Sequence, residues 1–205
     1  MSLINFKDAL MPFIHGMLPG CPGALIQQHA NEAVRHFCND THCWKYTCQG
    51  IGIRADRAEY EVLCIPEEAE IVVIEQVKIN ERILKPISEY TVTNRNVIIL
   101  MRTPKESIPG GLVVSVVLRP RQNTFQIDDC ETFETLWNDW NDAIRYRTLS
   151  TLQVMPGTTW TNMDQSAYND KMYYGKRAEC RRDLNKSQTT GSLRLQSPHR
   201  WTGSR

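Results

Sequence analysis

The sequence predicts an α+β protein: an α-helical bundle of four helices, a small antiparallel β-sandwich or barrel inserted between helices 2 and 3, and an extended C-terminal arm. Three observations predict it. Towards both ends of the chain, apolar residues recur at three- and four-residue steps, the mark of helices that bury one face. Between them, from Ala58 to Pro120, the pattern changes to short β-branched runs bounded by turn residues, as antiparallel strands require. After Lys186 the periodicity stops in a polar segment containing Gly, Pro and Ser, which has too little apolar surface to fold by itself. The expected organisation is a bundle from residues 1–50 and 126–186, a β domain over 51–125, and a flexible arm over 187–205.

The elements follow in order. A short helix is expected from Phe6 to His15, closed by Gly16 and the turn MLPGCPG, whose Gly and Pro residues break helices. A second begins at about Pro22, a residue suited to a first turn, and carries Leu25, Ile26, Ala30, Ala33, Val34 and Phe37 on one face; Asn39, Asp40 and Thr41 end it. Strands follow around Tyr60–Cys64, Ile71–Ile79, Ile83–Leu84, Tyr90–Val92 and Asn96–Met101. After a loop at Pro109-Gly110-Gly111 comes the run LVVSVVLRP, ended by Pro120. A third helix starts at Cys130, with Phe133, Leu136, Trp137, Trp140, Ala143 and Ile144 on its face and Asp128 or Asp129 as cap. After the turn MPGTTW a fourth runs from Asn162 or Asp164 to Asn185, with Lys176, Arg177, Arg181 and Arg182 near its end, where the helix dipole favours cations.

Composition narrows the function. The chain of 205 residues has a net charge of +1, which argues against a general nucleic-acid coat or a membrane-surface protein. No apolar run approaches the roughly 20 residues that span a bilayer, and MSLINFKDAL lacks the pattern of a signal peptide. The seven cysteines are expected as reduced thiols, as in a cytosolic protein. Charge is segregated: residues 126–152 hold six acids and two bases, residues 153–205 nine bases and four acids. An antiparallel pairing of the last two helices would set the basic end beside the acidic start.

Few stretches could carry chemistry. HFCNDTHCWKYTC places His36, Cys38, His42, Cys43 and Cys48 within thirteen residues. Structural zinc sites pair ligands two to four residues apart with a second pair at a distance, whereas these cysteines fall at C-x4-C-x4-C with no second pair. Packing at a helix end is the expected role, since buried cysteine behaves as a small hydrophobe. Gly50-Ile-Gly52 lacks the third glycine and strand-to-helix setting of a dinucleotide loop. Asp128, Asp129, Glu131 and Glu134 read as a charged helix start, Trp137 and Trp140 as core, and His15, His29 and His199 have no nucleophile at an informative spacing. No catalytic residue, metal ligand or cofactor is predicted, and no enzyme activity. The arm holds Leu193, Leu195 and Trp201 among Arg194, Arg200 and Arg205. Anchor side chains with cations suit folding onto a partner; a solvated terminus and sequence-independent DNA contact stay open.

Several pieces together resemble the head–tail adaptor (connector) proteins of short-tailed bacteriophages. They are the helix from Pro22 through Phe37-Cys38 to Trp44, the proline-acidic turn from Ile65 to Val77, and the helix Phe133–Leu152 followed by Met155-Pro-Gly-Thr-Thr-Trp160. A closing helix and a trailing arm complete the likeness, over roughly residues 5–185, and its weight lies in order and spacing. The resemblance implies a structural virion protein assembled in the host cytoplasm. Such adaptors form a ring, commonly of twelve subunits, beneath the portal; they extend the DNA channel and offer a platform to the tail nozzle. It implies portal protein, tail nozzle and neighbouring subunits as partners, non-specific contact with passing DNA, and no membrane. It also assigns portal binding to the arm, here Leu193, Arg194, Leu195, Arg200 and Trp201. Alternatives are another neck component, such as a head-completion stopper or tail terminator, and a zinc-dependent nucleic-acid regulator built on the Cys/His cluster.

Overall fold

The computed structural model describes residues 6–67, 69–121 and 131–188, with the side chains at 6–9, 131–135, 137 and 187–188 excepted. It is an α+β chain. Two helices, α1 (Phe6–Met17) and α2 (Gly23–Thr41), precede seven strands, and two more, α3 (Glu131–Gln153) and α4 (Met163–Gln188), follow them. Among the described residues no helix is long and apolar enough to cross a membrane.

The N-terminal helices follow the apolar period. Leu10, Ile14 and Leu18 are buried at steps of four, so α1 runs past Gly16, where the sequence predicts its end. Its last turn closes through the Leu18 amide on the Ile14 carbonyl at 2.8 Å. In α2, Ile26, Ala30, Ala33, Val34, Phe37 and Cys38 are all buried, one stripe of a 3.6-residue period. His42 ends the helix in the left-handed conformation, its amide bonded to the Cys38 carbonyl at 2.9 Å, which satisfies an orphan acceptor.

The strands form two antiparallel sheets. The first has the order β1 (Lys45–Ile53), β7 (Ile108–Pro120), β3 (Ala69–Ile79), β4 (Arg82–Ile83); the second has β2 (Glu59–Glu61), β6 (Val97–Leu100), β5 (Tyr90–Thr93). The strand at Lys45–Ile53 departs from the expected onset at Ala58. Its two glycines depress strand propensity, but pairing with the long β7 overrides that. The predicted loop at Pro109-Gly110-Gly111 is likewise part of β7. Gly110 has φ +64, and a Cβ there would meet the Cα of Gly50, itself at φ +80, at 3.6 Å. The register of β1 shifts on either side of Ile51, so the glycines mark bulges that bend the pair. Asn80 and Glu81, both at positive φ, form the two-residue turn that joins β3 to β4.

Residues from α1, α2, α3 and α4 and from both sheets join one buried cluster. Arg35 of α2 bonds the Pro120 carbonyl and Glu70, tying the helices to one end of β3 and β7. Helix α3 has non-helical dihedrals at Trp140, whose ring lies 6.0 Å from that of Phe37. Helix α4 begins where the Asn162 side chain caps the Gln165 amide at 3.0 Å and runs three residues beyond its predicted end. Its buried stripe is largely polar: Ser166 donates to the Ser150 carbonyl at 2.8 Å, and Asn169 to Gln153 at 2.8 Å. The basic end of α4 grips α2, through Arg177 on Asp40 at 2.8 Å and Arg181 on the Asp40 carbonyl. The acidic partners expected for it, Asp128, Asp129, Glu131 and Glu134, lie outside the described side chains.

Candidate functional site

The Cys/His stretch is divided by the fold. Cys38 is buried on α2, His42 caps that helix, and Cys43 starts the connection to β1. Cys43 exchanges hydrogen bonds with Cys38 and with Cys180 of α4, a partner 137 residues away that no spacing rule points to. The Cys180 bond lowers the Cys43 thiol, but the Cys38 bond and burial outweigh it and push it well above its ordinary range. Its hydrogen bond to Cys43 and burial raise Cys180 in the same direction. Held protonated by these contacts, Cys43 and Cys180 pack as small hydrophobes. Cys48 belongs to a different place, beside Cys64. Among the described residues no group of three or more His, Cys, Asp or Glu side chains is arranged to hold a metal ion.

The other sequence candidates scatter. Gly50 and Gly52 sit inside β1. His29 bonds Thr151 at 3.1 Å, joining α2 to α3. Trp140 packs on Phe37, while the Trp137 side chain, His199 and the arm residues Leu193, Arg194, Leu195, Arg200 and Trp201 lie outside the described residues.

A site that the sequence reading missed lies where β3 and β4 of the first sheet meet the loops of the second. It is an open groove of about 670 Å³ with Ile79, Leu84, Leu100 and Pro104 as apolar lining. Arg82, Lys85 and Arg102 bring three cations against the single carboxylate of Glu89. Next to these lining residues along the chain, Ile83, Met101 and Ile87 are 55%, 50% and 86% exposed. The groove is ten residues along β3 from the end that Arg35 ties to the helices, about 30 Å at the strand rise.

The loop that presents Ile87 is stiff. Glu89 accepts the Lys85 amide at 2.7 Å and pairs with Arg82. Its amide bonds the Lys85 carbonyl at 3.0 Å, and the Ile87 amide bonds the Tyr90 carbonyl at 2.8 Å. Within that frame Ile87 adopts φ +69. A β-branched residue is strained there, and an isoleucine held so and almost fully solvated gains nothing from burial. The one signal in the sequence is an apolar residue, Ile87, directly after Pro86. Chemically the groove offers an apolar floor and positive charge.

The sequence matches no protein-family model. No curated protein matches it either.

Proposed function

We propose that the chain is a structural virion protein, a head-to-tail adaptor whose copies form a ring that joins the portal to the tail nozzle and extends the DNA channel. The observation that carries this reading is the order of elements: strands set between two N-terminal and two C-terminal helices, with an apolar, cationic groove at the strand end remote from the helices. In this reading the four helices are a bundle that makes the ring body. The two sheets are a small sandwich that projects from it, and the groove receives a tail component. Repeated heterologous contacts close a ring when their rotation closes. The arm 187–205 docks on the portal through Leu193, Arg194, Leu195, Arg200 and Trp201; ordering it only at docking makes assembly sequential. Nothing in this role transforms a substrate.

The test is the mass of the purified protein alone and after mixing with a portal ring of a short-tailed phage. The expected result is a discrete complex with many copies per portal. The chain shortened by residues 189–205, which leaves α4 complete, should fold and stay unbound. Normal assembly by the shortened chain overturns the role of the arm, and absence of any complex with the full chain overturns the adaptor reading. Stoichiometric zinc in the purified protein would instead favour the regulator.

A further inference from the structure

We propose that Cys48 and Cys64 are a dithiol that a hydroperoxide closes to an intramolecular disulfide, pinning the connection between the two sheets. Cys48 sits in β1 opposite Val114 and is 1% exposed. Cys64 lies on the stretch that leads from β2 of the second sheet to β3 of the first, and is exposed. The Cys48 thiol donates to the Cys64 carbonyl at 3.2 Å, so the two cysteines lie against one another. Cys64 is open to solution while Cys48 is buried beside its backbone, the placing of an attacking and a resolving thiol. Cys43 and Cys180 also touch, but Cys180 is buried at 0% exposure and Cys43 is packed between it and Cys38. In that pair Cys43 is half-buried and Cys180 buried, so neither is as open to solution as Cys64.

The chemistry balances with the oxidant as the only co-reactant. The Cys64 thiolate attacks one peroxide oxygen, the O–O bond breaks, and hydroxide leaves, giving a sulfenic acid. Cys48 then attacks that sulfur; the S–S bond forms, hydroxide departs and takes up the Cys48 proton as water. Two electrons pass from the thiols to the peroxide and two waters result. Burial, with Cys64 adding to it, raises the Cys48 thiol to about 12, so Cys48 keeps its proton at rest; Cys64 meets the oxidant first because it is the exposed one of the two. The result is a bond across a sixteen-residue separation, which removes freedom from the unfolded chain.

The experiment treats the full chain with hydrogen peroxide under native conditions, then alkylates it in denaturant. Before alkylation the expected product is a monomer lighter by about 2 Da, and after it two fewer thiols carry the alkyl group. In a non-reducing tryptic map, peptides 46–54 and 58–78 should be joined, and thiol reduction should separate them. Melting of the oxidised form should rise by about 5 °C and return on reduction. Cys64→Ser, at an exposed position, should fold normally and lose the joined peptides. Cys48→Ala should leave Cys64 to proceed to sulfinic acid, a gain of about 32 Da. The proposal is overturned if the wild-type chain takes up oxygen at Cys64 while Cys48 stays alkylatable, or if Cys64 joins a second copy.

Discussion

Glu70 accepts from Arg119 Nε at 2.6 Å and from Arg35 Nη2 at 3.0 Å, so one carboxylate on β3 clamps β7 and α2 together. Burial pushes its pKa up, but the two guanidiniums outweigh that and hold it below its ordinary value of 4.5. A depressed pKa contributes stability that is present above the unfolded value and is lost as pH falls through the folded one. Glu70→Gln should therefore cost on the order of 1 kcal/mol at neutral pH, after screening of a partly exposed group. In urea unfolding the gap to wild type should shrink between about pH 7 and about pH 3; a gap independent of pH would refute the clamp. Ile87 poses the opposite case. Asparagine tolerates positive φ better than isoleucine, so Ile87→Asn should raise stability by roughly 0.5–1 kcal/mol, seen as a melting shift of about 1–4 °C. If the groove is a docking site, the same change should weaken partner binding. A variant that melts lower, or binds as wild type, counts against the strained-knob reading.

At the level of elements, α4 is the informative one. Its inner face reads Ser166, Asn169, Tyr173 and Cys180, so it is held largely by hydrogen bonds and ion pairs where α2 is held by an apolar stripe. Asn169 is 2% exposed and donates to Gln153, itself 3% exposed. Asn169→Ala strands a buried acceptor, with an expected loss of about 1–3 kcal/mol in chemical denaturation. An unchanged midpoint would mean that α4 is held elsewhere. Arg147 of α3 adds a second polar link, to Asp170 at 2.9 Å, and Arg177 reaches Asp40 at the end of α2. A helix with so polar an inner face is specified by its partners, because few other arrangements satisfy the same donors and acceptors.

For the molecule as a whole, the two ends of β3 separate two kinds of surface. One end is fixed to the helices by Arg35 and Glu70; the other carries the groove. Removal of residues 189–205 begins after the last residue of α4. The expected outcome is an unfolding midpoint unchanged from wild type, read by circular dichroism, together with, in the proposed adaptor role, loss of portal binding. Loss of helix signal on truncation would show that the segment belongs to the folded core.

The apolar spacing of Ile26 to Cys38, the turn residues Asn80 and Asn94, the cap Asn162 and the β-branched run 112–118 were enough to place helices around strands. These are local preferences, and they act over a few residues. The glycine-bearing β1, the continuation of β7 through Gly110 and the break at Trp140 depend on what lies opposite each chain segment, which local propensity does not encode. The same limit applied to the site. The stretch HFCNDTHC showed its cysteines but not Cys180, and Cys48 showed nothing of Cys64. The groove is assembled from residues 79 to 104 by two hairpins of different sheets. Sequence by itself therefore determined the α+β class and the placing of strands between two pairs of helices, because the helical and strand periods are written in the residues themselves. Which thiols meet, where Glu70 is clamped and where an apolar surface stays open were decided by the tertiary structure alone, since those contacts join residues that are distant along the chain.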